Sequence, residues 1–260
     1  MTPVVTLLSD FGYQDTYVGV MKGVILQRCP SARLIDLTHA IAPQNLVAAR
    51  FHLLSAYAYF ARGTIHLAVV DPGVGSQRRA VAVQFDQGYL VGPDNGIFSG
   101  VLQACSPIAA VELSNPDYWL SPQPSQTFHG RDIFAPAAAH LATGELLSDL
   151  GPAIDVQTLA KLPVPNPERS PSLLTGTLQH IDHFGNLITD LPGYWVEGRN
   201  WQVAIADKTI PSVSTYSDID LGQLAACIGS HGWVEIIING GSAWEHLRLR
   251  TGSSVEIRLS

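Results

Sequence analysis

Charge is scarce in this sequence, and basic charge scarcer still. Of 260 residues, 15 are Lys or Arg and 22 are Asp or Glu, a formal net charge of −7. No cluster of Lys or Arg occurs, which argues against a nucleic-acid or anionic-membrane surface but not against a small cationic ligand. Cysteine is nearly missing. Cys29, Cys105 and Cys227 lie far apart with no CxxC or Cys/His spacing, so structural zinc is not expected and all three read as small buried apolar residues. The first ten residues carry no positive segment, and their apolar run is too short for a signal peptide or a membrane span. A reducing, cytoplasmic compartment is the expectation. Several chemical signatures are also missing. The nine histidines show no HxxxH, HxH or HExxH spacing, there is no GxSxG elbow, and Gly73-Val74-Gly75 is followed by no Walker lysine. No bound metal or cofactor is expected.

Apolar residues are plentiful, at 46% against 14% charged. That is ample for the core of one large domain or two of ordinary size, with no disorder expected. The stretch that organises the chain is Ile65 to Val70, a buried strand that ends abruptly at Asp71-Pro72-Gly73-Val74-Gly75. Proline fixes φ and the glycines admit positive φ, so the backbone can turn sharply there and leave a carboxylate at a strand's C-terminal end. Arg78 and Arg79 follow closely enough for one of them to pair with Asp71 across the loop. A solvated turn is the plainer reading of the same residues.

In chain order, Val4 to Leu8 is a central strand closing on Ser9-Asp10-Phe11-Gly12, and a helix over Asp15 to Leu26 shares Val18, Met21, Ile25 and Cys29 on one face. Arg33 to Leu37 is a strand. Asn45 N-caps a second helix with Leu46, Leu53 and Phe60 a heptad apart, and the strand into Asp71 comes next. Strand, helix, strand, helix, strand is the pattern of a parallel sheet. Ala80 to Phe85 and Tyr89 to Val91 form a hairpin that runs into Asp94-Asn95. A helix follows from Ile97. A Ser/Pro/Gln loop then delivers His129-Gly130-Arg131-Asp132 to a helix with Pro136 in its first turn. Four prolines in residues 163–171 mark a linker between an N-terminal α/β domain, 1–162, and a C-terminal domain, 172–260, of short β runs that suit a small barrel or sandwich. In the latter, Asp182 and Asn186 flank a Gly turn. Alone, the pair reads first as an Asx turn and second as two groups aimed into one pocket.

Taken together, Ser9-Asp10-Phe11-Gly12, Asp71 to Ser76 with Arg78, Gly92 to Gly96, Phe128 to Asp132 and Ile181 to Asn186 resemble, in order, the motifs of the S-adenosylmethionine hydroxide adenosyltransferases. These are adenosine-forming SAM hydrolases, related to fluorinases and chlorinases. The resemblance spans nearly the whole chain. It implies an N-terminal α/β domain, a C-terminal β-barrel, and a homotrimer whose sites lie between the N-terminal domain of one subunit and the C-terminal domain of its neighbour. The implied reaction is SAM plus water giving adenosine and L-methionine, without metal. The family's Asp–Arg–His triad falls on Asp71, Arg78 and His129, and its ribose-binding aspartate on Asp10. Asp15, Thr16 and Tyr17 match a region that holds the methionine end. Second-domain ligand residues fall on Asp182 and Asn186, with Ser230, Asn239 and Gly240 matched less closely. Phe128 and Phe184 suit packing on the adenine.

Two departures separate the chain from fluorinases. Asp71 stands where they have tyrosine and Gly130 where they have serine, so a halide site is not expected and water is the favoured nucleophile. His231 stands where they have arginine, which bears on the methionine carboxylate contact. The chemistry suits the residues. A sulfonium leaves as a neutral thioether, so no acid is needed. Arg78 cannot act as a base, which gives proton acceptance to His129, stabilisation of the developing hydroxide to Arg78, and the fixing of Arg78 to Asp71. The alternatives are a halide-using SAM transferase of the same family and a catalytically idle SAM- or adenosine-binding protein.

Overall fold

The computed structural model describes residues 2–205 and 207–260. The chain divides into two compact units, Met1–Leu162 and Pro163–Ser260. In the first, β1 (Val4–Ser9), α1 (Tyr17–Arg28), β2 (Arg33–Thr38), α2 (Leu46–Tyr57) and β3 (Thr64–Val69) are followed by the hairpin β4 (Ala80–Gln84) and β5 (Gly88–Pro93). Then come α3 (Ser99–Ala104), β6 (Ala109–Glu112) and α4 (Ala135–Thr143). The sheet runs β2-β1-β3-β5-β4-β6. β2, β1, β3 and β5 are parallel; β4 is antiparallel to β5 and β6.

That order follows from the crossovers. β1 to β2 steps one way across the sheet, and β2 to β3 steps back past β1, so right-handed connections send α1 and α2 to opposite faces. Val5 and Leu7 of β1 accordingly pack with Met21 and Ile25 of α1. Leu8, of opposite side-chain parity, packs with Ala49 and Leu53 of α2. The reversal makes a topological switch point between β1 and β3, and a crevice opens there at their carboxyl ends.

Local signals set the helix ends. The Asn45 side chain accepts the Ala48 N–H at 3.0 Å, capping α2. Val18, Met21, Ile25 and Cys29 are all buried. Phe60 lies beyond α2 and meets the His66 ring at 5.5 Å instead of extending the helical stripe. α3 starts at Ser99, two residues after the expected Ile97, because the Asn95-Gly96 turn still closes through Ser99 N–H to Gly96 O at 3.0 Å. The last stretch of the unit is tied down by a clasp. Arg79 donates to Asp94 (2.6 Å) and to the Thr158 carbonyl (2.6 Å), Asp94 accepts the Ala160 N–H (2.8 Å), and Ser99 Oγ accepts the Leu162 N–H (2.8 Å).

His66 sits 1% exposed in β3 with Nδ1 2.8 Å from Thr6 Oγ1, and burial pulls its pKa down to about 4. The unfolded chain binds this proton below about 6.5, the folded chain only below about 4, so His66 withdraws stability as pH falls across that window. Denaturation at pH 7 and pH 4 should show about 3 kcal/mol of loss from this residue, and His66→Asn should flatten the slope. An unchanged slope would refute the assignment.

In the second unit, which also holds the short α5 (Ala243–Leu247), the strands pair antiparallel, and a parallel bridge joins Ser212 to Ala226. Its strands are β7 (Glu168–Arg169), β8 (Leu173–Ile181), β9 (Leu187–Pro192), β10 (Trp201–Ile205), β11 (Lys208–Pro211), β12 (Leu224–Ile228), β13 (Trp233–Ile238) and β14 (Ser254–Leu259). They run β11-β10-β14-β8-β9-β13-β12. The two edges meet where Val213 N–H donates to Ala226 O at 2.9 Å, nearly closing a barrel around Leu174, Leu191, Val203, Ile236 and Ile257. The stretch expected as a plain linker, 163–171, carries β7, paired with β8 through Glu168–Thr175 and Arg169–Leu174.

Candidate active site

At the switch point of the first unit a cavity of about 380 Å³ is lined by thirteen residues. Three of its elements converge there for separate reasons. β1 delivers Asp10 and Phe11, β3 delivers Asp71, and a π-helical turn, Gly130–Phe134, follows His129 and leads into α4. Such wide turns swing a side chain off the regular helical path and recur at functional sites.

Asp71 and Arg78 form a buried bidentate pair. Arg78 Nε donates to both carboxylate oxygens at 3.0 Å and Nη2 to Oδ2 at 2.5 Å, with the side chains 10% and 6% exposed. The turn between them is held by Val74 N–H to Asp71 O (3.2 Å) and Ser76 Oγ to Gly73 O (2.6 Å). Gly75, at φ 76°, packs its backbone so closely on the Gln126 carbonyl that a Cβ would stand 2.5 Å away. This contact seats the Asp71 turn against the Ser/Pro/Gln loop that precedes His129.

Arg78 Nη2 lies 2.8 Å from His129 Nδ1. A guanidinium only donates, so Nδ1 accepts, and the neutral ring carries its proton on Nε2. Burial, then the facing Arg78, hold His129 below the ordinary imidazole range, against weaker pulls from Asp71 and Asp132. The ring is therefore neutral at pH 7, with its one basic lone pair on Nδ1 directed at Arg78. Asp132 steadies the turn beyond it, accepting from Arg131 (2.6 Å) and from the Ser125 N–H (2.7 Å).

Asp10 accepts the Gln44 N–H through Oδ2 at 2.8 Å. Gln44 has φ 65° and lines the cavity beside Pro43. Nothing in the sequence marked these two residues, because the contribution is a backbone N–H turned inward by a left-handed conformation. Phe11, Tyr17 and Phe128 form an aromatic wall, with Tyr17–Phe128 and Phe11–Phe128 edge to face at 5.2 and 5.8 Å. Asp15 and Thr16 are exposed just before α1 and do not line the cavity, although Tyr17 does. A Cβ at Gly130 would press on Met21 Sδ at 3.0 Å and Phe128 at 3.2 Å, so a serine there would crowd this wall. Beneath the site, Ser9 Oγ bonds His39 Nδ1 at 2.6 Å and His39 Nε2 lies 3.2 Å from Asp36. Ser9 and His39 are fully buried, so the trio braces the turn that carries Asp10.

In the second unit, the Asp182 carboxylate closes its own Asx turn. Oδ1 accepts the N–H groups of Phe184 (2.9 Å) and Asn186 (2.8 Å), and Oδ2 accepts Asn186 Nδ2 (2.8 Å). Phe184, Asn186 and Gly240 line a cavity of about 560 Å³ with Tyr216, Ile238 and Gly241. Asn239 donates to the Ile219 carbonyl at 2.8 Å, a loop tie, and Ser230 is exposed. Among the described residues no group of three or more His, Cys, Asp or Glu side chains is placed to hold a metal ion.

The sequence profile of the SAM hydroxide adenosyltransferase N-terminal domain matches residues 5–151, and that of the C-terminal domain matches residues 176–256. A (R)-S-adenosyl-L-methionine hydrolase from Thermus thermophilus is 42% identical over 267 aligned positions, covering 99% of this chain and 100% of that one. A fluorinase from an Actinoplanes species is more distant, 26% identical and covering 98% and 97%. A crystal structure of an uncharacterized conserved protein from Thermotoga maritima superposes with a TM-score of 0.92 at 33% identity, covering 98% of this chain and 99% of that one.

Proposed function

The chain belongs to the SAM hydroxide adenosyltransferase family, and from that premise we propose that it hydrolyses S-adenosyl-L-methionine to adenosine and L-methionine. The observation that carries this reading is the hydrogen-bonded Asp71–Arg78–His129 chain, of which Asp71 and His129 line the switch-point crevice. A protein that only bound SAM would have no use for a fixed guanidinium aimed at a neutral imidazole. Water oxygen attacks C5′ of the ribose, and the C5′–S bond breaks with its electron pair going to sulfur. The leaving group is a neutral thioether, so neither a general acid nor a Lewis-acid metal has work to do.

Arg78 stabilises the charge that builds on the water oxygen, and Asp71 holds the guanidinium in place. His129 takes the proton. For that, its bond to Arg78 opens and a water enters between Nη2 and Nδ1, donating to the ring and accepting from the guanidinium. Asp10, with Oδ2 on the Gln44 N–H, accepts from the ribose hydroxyls, and the aromatic wall of Phe11, Tyr17 and Phe128 excludes bulk water. Asp15, Thr16 and Tyr17 serve the methionine end. Phe184 and Asn186, with Gly240, serve the ligand from the second unit of a neighbouring copy in a homotrimer. The free cysteines suit a cytoplasmic protein, and no described helix is long and apolar enough to cross a membrane.

Chromatography of the protein incubated with SAM tests the reaction. Adenosine and methionine should form in equal amounts, unchanged by fluoride, chloride or a chelator. A 5′-halo-adenosine, or binding without product, would refute it. The pH profile tests the base. Because His129 is held below its ordinary value, its neutral form persists under mild acid, so the acid limb of kcat/KM should lie below about pH 6.5. His129→Gln should cost about 10²-fold and remove that limb. An acid limb surviving at the same pH would exclude His129 as the proton acceptor.

A further inference from the structure

A buried carboxylate in the second unit plays no part in the reaction described above. Glu235 on β13, with its side chain 7% exposed, is faced by three donors. The Tyr216 hydroxyl donates to Oε1 at 2.9 Å, the Cys227 thiol to the same oxygen at 3.6 Å, and His231 Nε2 to Oε2 at 3.1 Å.

The direction of each bond is fixed by what else the donors do. His231 Nδ1 accepts the Trp233 N–H at 3.2 Å, so the ring proton sits on Nε2 and points at Glu235. Burial, with Glu235 alongside, pushes the Cys227 thiol up to about 12, so it remains a donor. Burial opposes ionisation of Glu235, but the hydrogen bonds from His231 and Tyr216 outweigh it and hold the carboxyl below its usual range. An ionised carboxylate only accepts. The single Tyr216 proton is therefore committed to Glu235, and toward any other group Tyr216 can only accept. It accepts from Asn186 Nδ2 at 3.1 Å. The second hydrogen of that amide goes to Asp182 Oδ2 at 2.8 Å. With both hydrogens taken, Oδ1 is the atom that Asn186 offers to the cavity it lines with Phe184 and Tyr216.

We propose that Glu235 is a positioning residue for substrate recognition: through Tyr216 it fixes the Asn186 amide with Oδ1 as an acceptor, so that this site selects a 6-amino purine over a 6-oxo purine. The proposal rests on the reading of SAM as substrate. SAM carries two nitrogen donors, the adenine amino group and the α-ammonium. The adenine is favoured because the 74% exposed ring of Phe184 offers a flat face in the same cavity. An ammonium would call for a carboxylate, whereas Asn186 offers a neutral amide oxygen, which suits the adenine amino group. His231 is tied at both ring nitrogens, so its part is to orient Glu235.

Titration calorimetry of the full-length protein with adenosine and inosine tests this without requiring turnover. Wild type should prefer adenosine by about 10²-fold, since inosine sets a carbonyl against Oδ1. In Glu235→Gln the new amide can donate to Tyr216 and turn its proton toward Asn186, and the preference should fall to about 10-fold or less. Tyr216→Phe breaks the relay without stranding a charge, should act alike, and covers the case that Glu235→Gln does not fold. For SAM, KM should rise while kcat holds. An unchanged adenosine-to-inosine ratio in either folded variant would overturn the proposal, as would a shift seen only between SAM and its analogue lacking the α-amino group. Wild type that discriminates the nucleosides but releases no methionine from SAM would sink the proposed reaction and leave the Glu235 relay standing.

Discussion

Arg78→Met should lower single-turnover hydrolysis by about 10³-fold or more, while the affinity for SAM changes far less. Three functions meet in that one guanidinium. It pairs bidentately with a nearly inaccessible Asp71, it holds His129 Nδ1 at 2.8 Å, and it sets a positive charge against these two residues, both of which line the cavity. Methionine keeps the bulk and loses all three. A developing hydroxide would then face an unpaired carboxylate instead of a positive charge, so the electrostatic term changes sign rather than merely vanishing. The stranded Asp71 should also cost about 3–5 kcal/mol of stability, the usual result of breaking a buried pair from one side. That cost separates the two effects. The double variant Asp71→Asn with Arg78→Met should recover much of the melting temperature and none of the activity. Arg78→Lys should fall between, because one ammonium cannot grip both carboxylate oxygens and reach His129. A methionine variant within tenfold of wild-type kcat would remove the triad from the mechanism.

Gly92→Ala should destabilise the fold strongly, by forcing apart two strands beside the site. Gly92 lies in β5, beside β3, and an added Cβ would stand 2.2 Å from the Ala68 carbonyl oxygen and 3.1 Å from the Phe98 ring. The obstacle is backbone, which cannot rotate away, so β3 and β5 must part at the strand end that carries Asp71. Overpacking of this kind costs about 3 kcal/mol at its upper range, which in a chain of this size lowers Tm by about 6–12 °C. Turnover should suffer too, because the Asp71 turn moves with β3. The control is Gly23→Ala in α1, where a Cβ meets nothing within 4 Å. There the better helix propensity should stabilise by about 0.5–1 kcal/mol. A Gly92 variant that melts with wild type would show that the sheet can open at this point.

How far these features were legible in the sequence depended on the scale of the force that set them. β1 and β3 are buried on both faces, and burial writes a continuous apolar run ending in a turn residue; hence the strand ends at Asp10 and Asp71 are legible in the sequence. The N-cap Asn45 and the hairpin at Asp86-Gln87-Gly88 are local devices and show locally. β6, β9 and β12 did not. Leu187–Pro192 contains Asp190 and Pro192, and Leu224–Ile228 is five residues with two alanines, so partners rather than propensity make them strands. At the site, spacing alone leaves Arg78 and Arg79 as alternative partners for Asp71; the fold gives Arg78 to Asp71 and Arg79 to Asp94. The π-helical turn after His129 was not legible, because no residue type encodes an extra residue in a helical turn. The tautomer of His129 was equally hidden, since it follows from a partner 51 positions away. Asp182 shows the reverse case, in which the plain Asx-turn reading describes the three hydrogen bonds its carboxylate accepts within the fold.

The clasp made by Arg79, Asp94 and Ser99 has a bearing on modularity. It satisfies the backbone N–H groups of Ala160 and Leu162 from inside the first unit, so the α/β unit is sealed before the proline-rich stretch begins. None of those bonds uses a partner beyond Leu162. The chain therefore leaves this unit at a point where its hydrogen-bond accounts are already closed, the condition under which one domain can be recombined with a different downstream neighbour, or lengthened at the junction, without unravelling its own last turn.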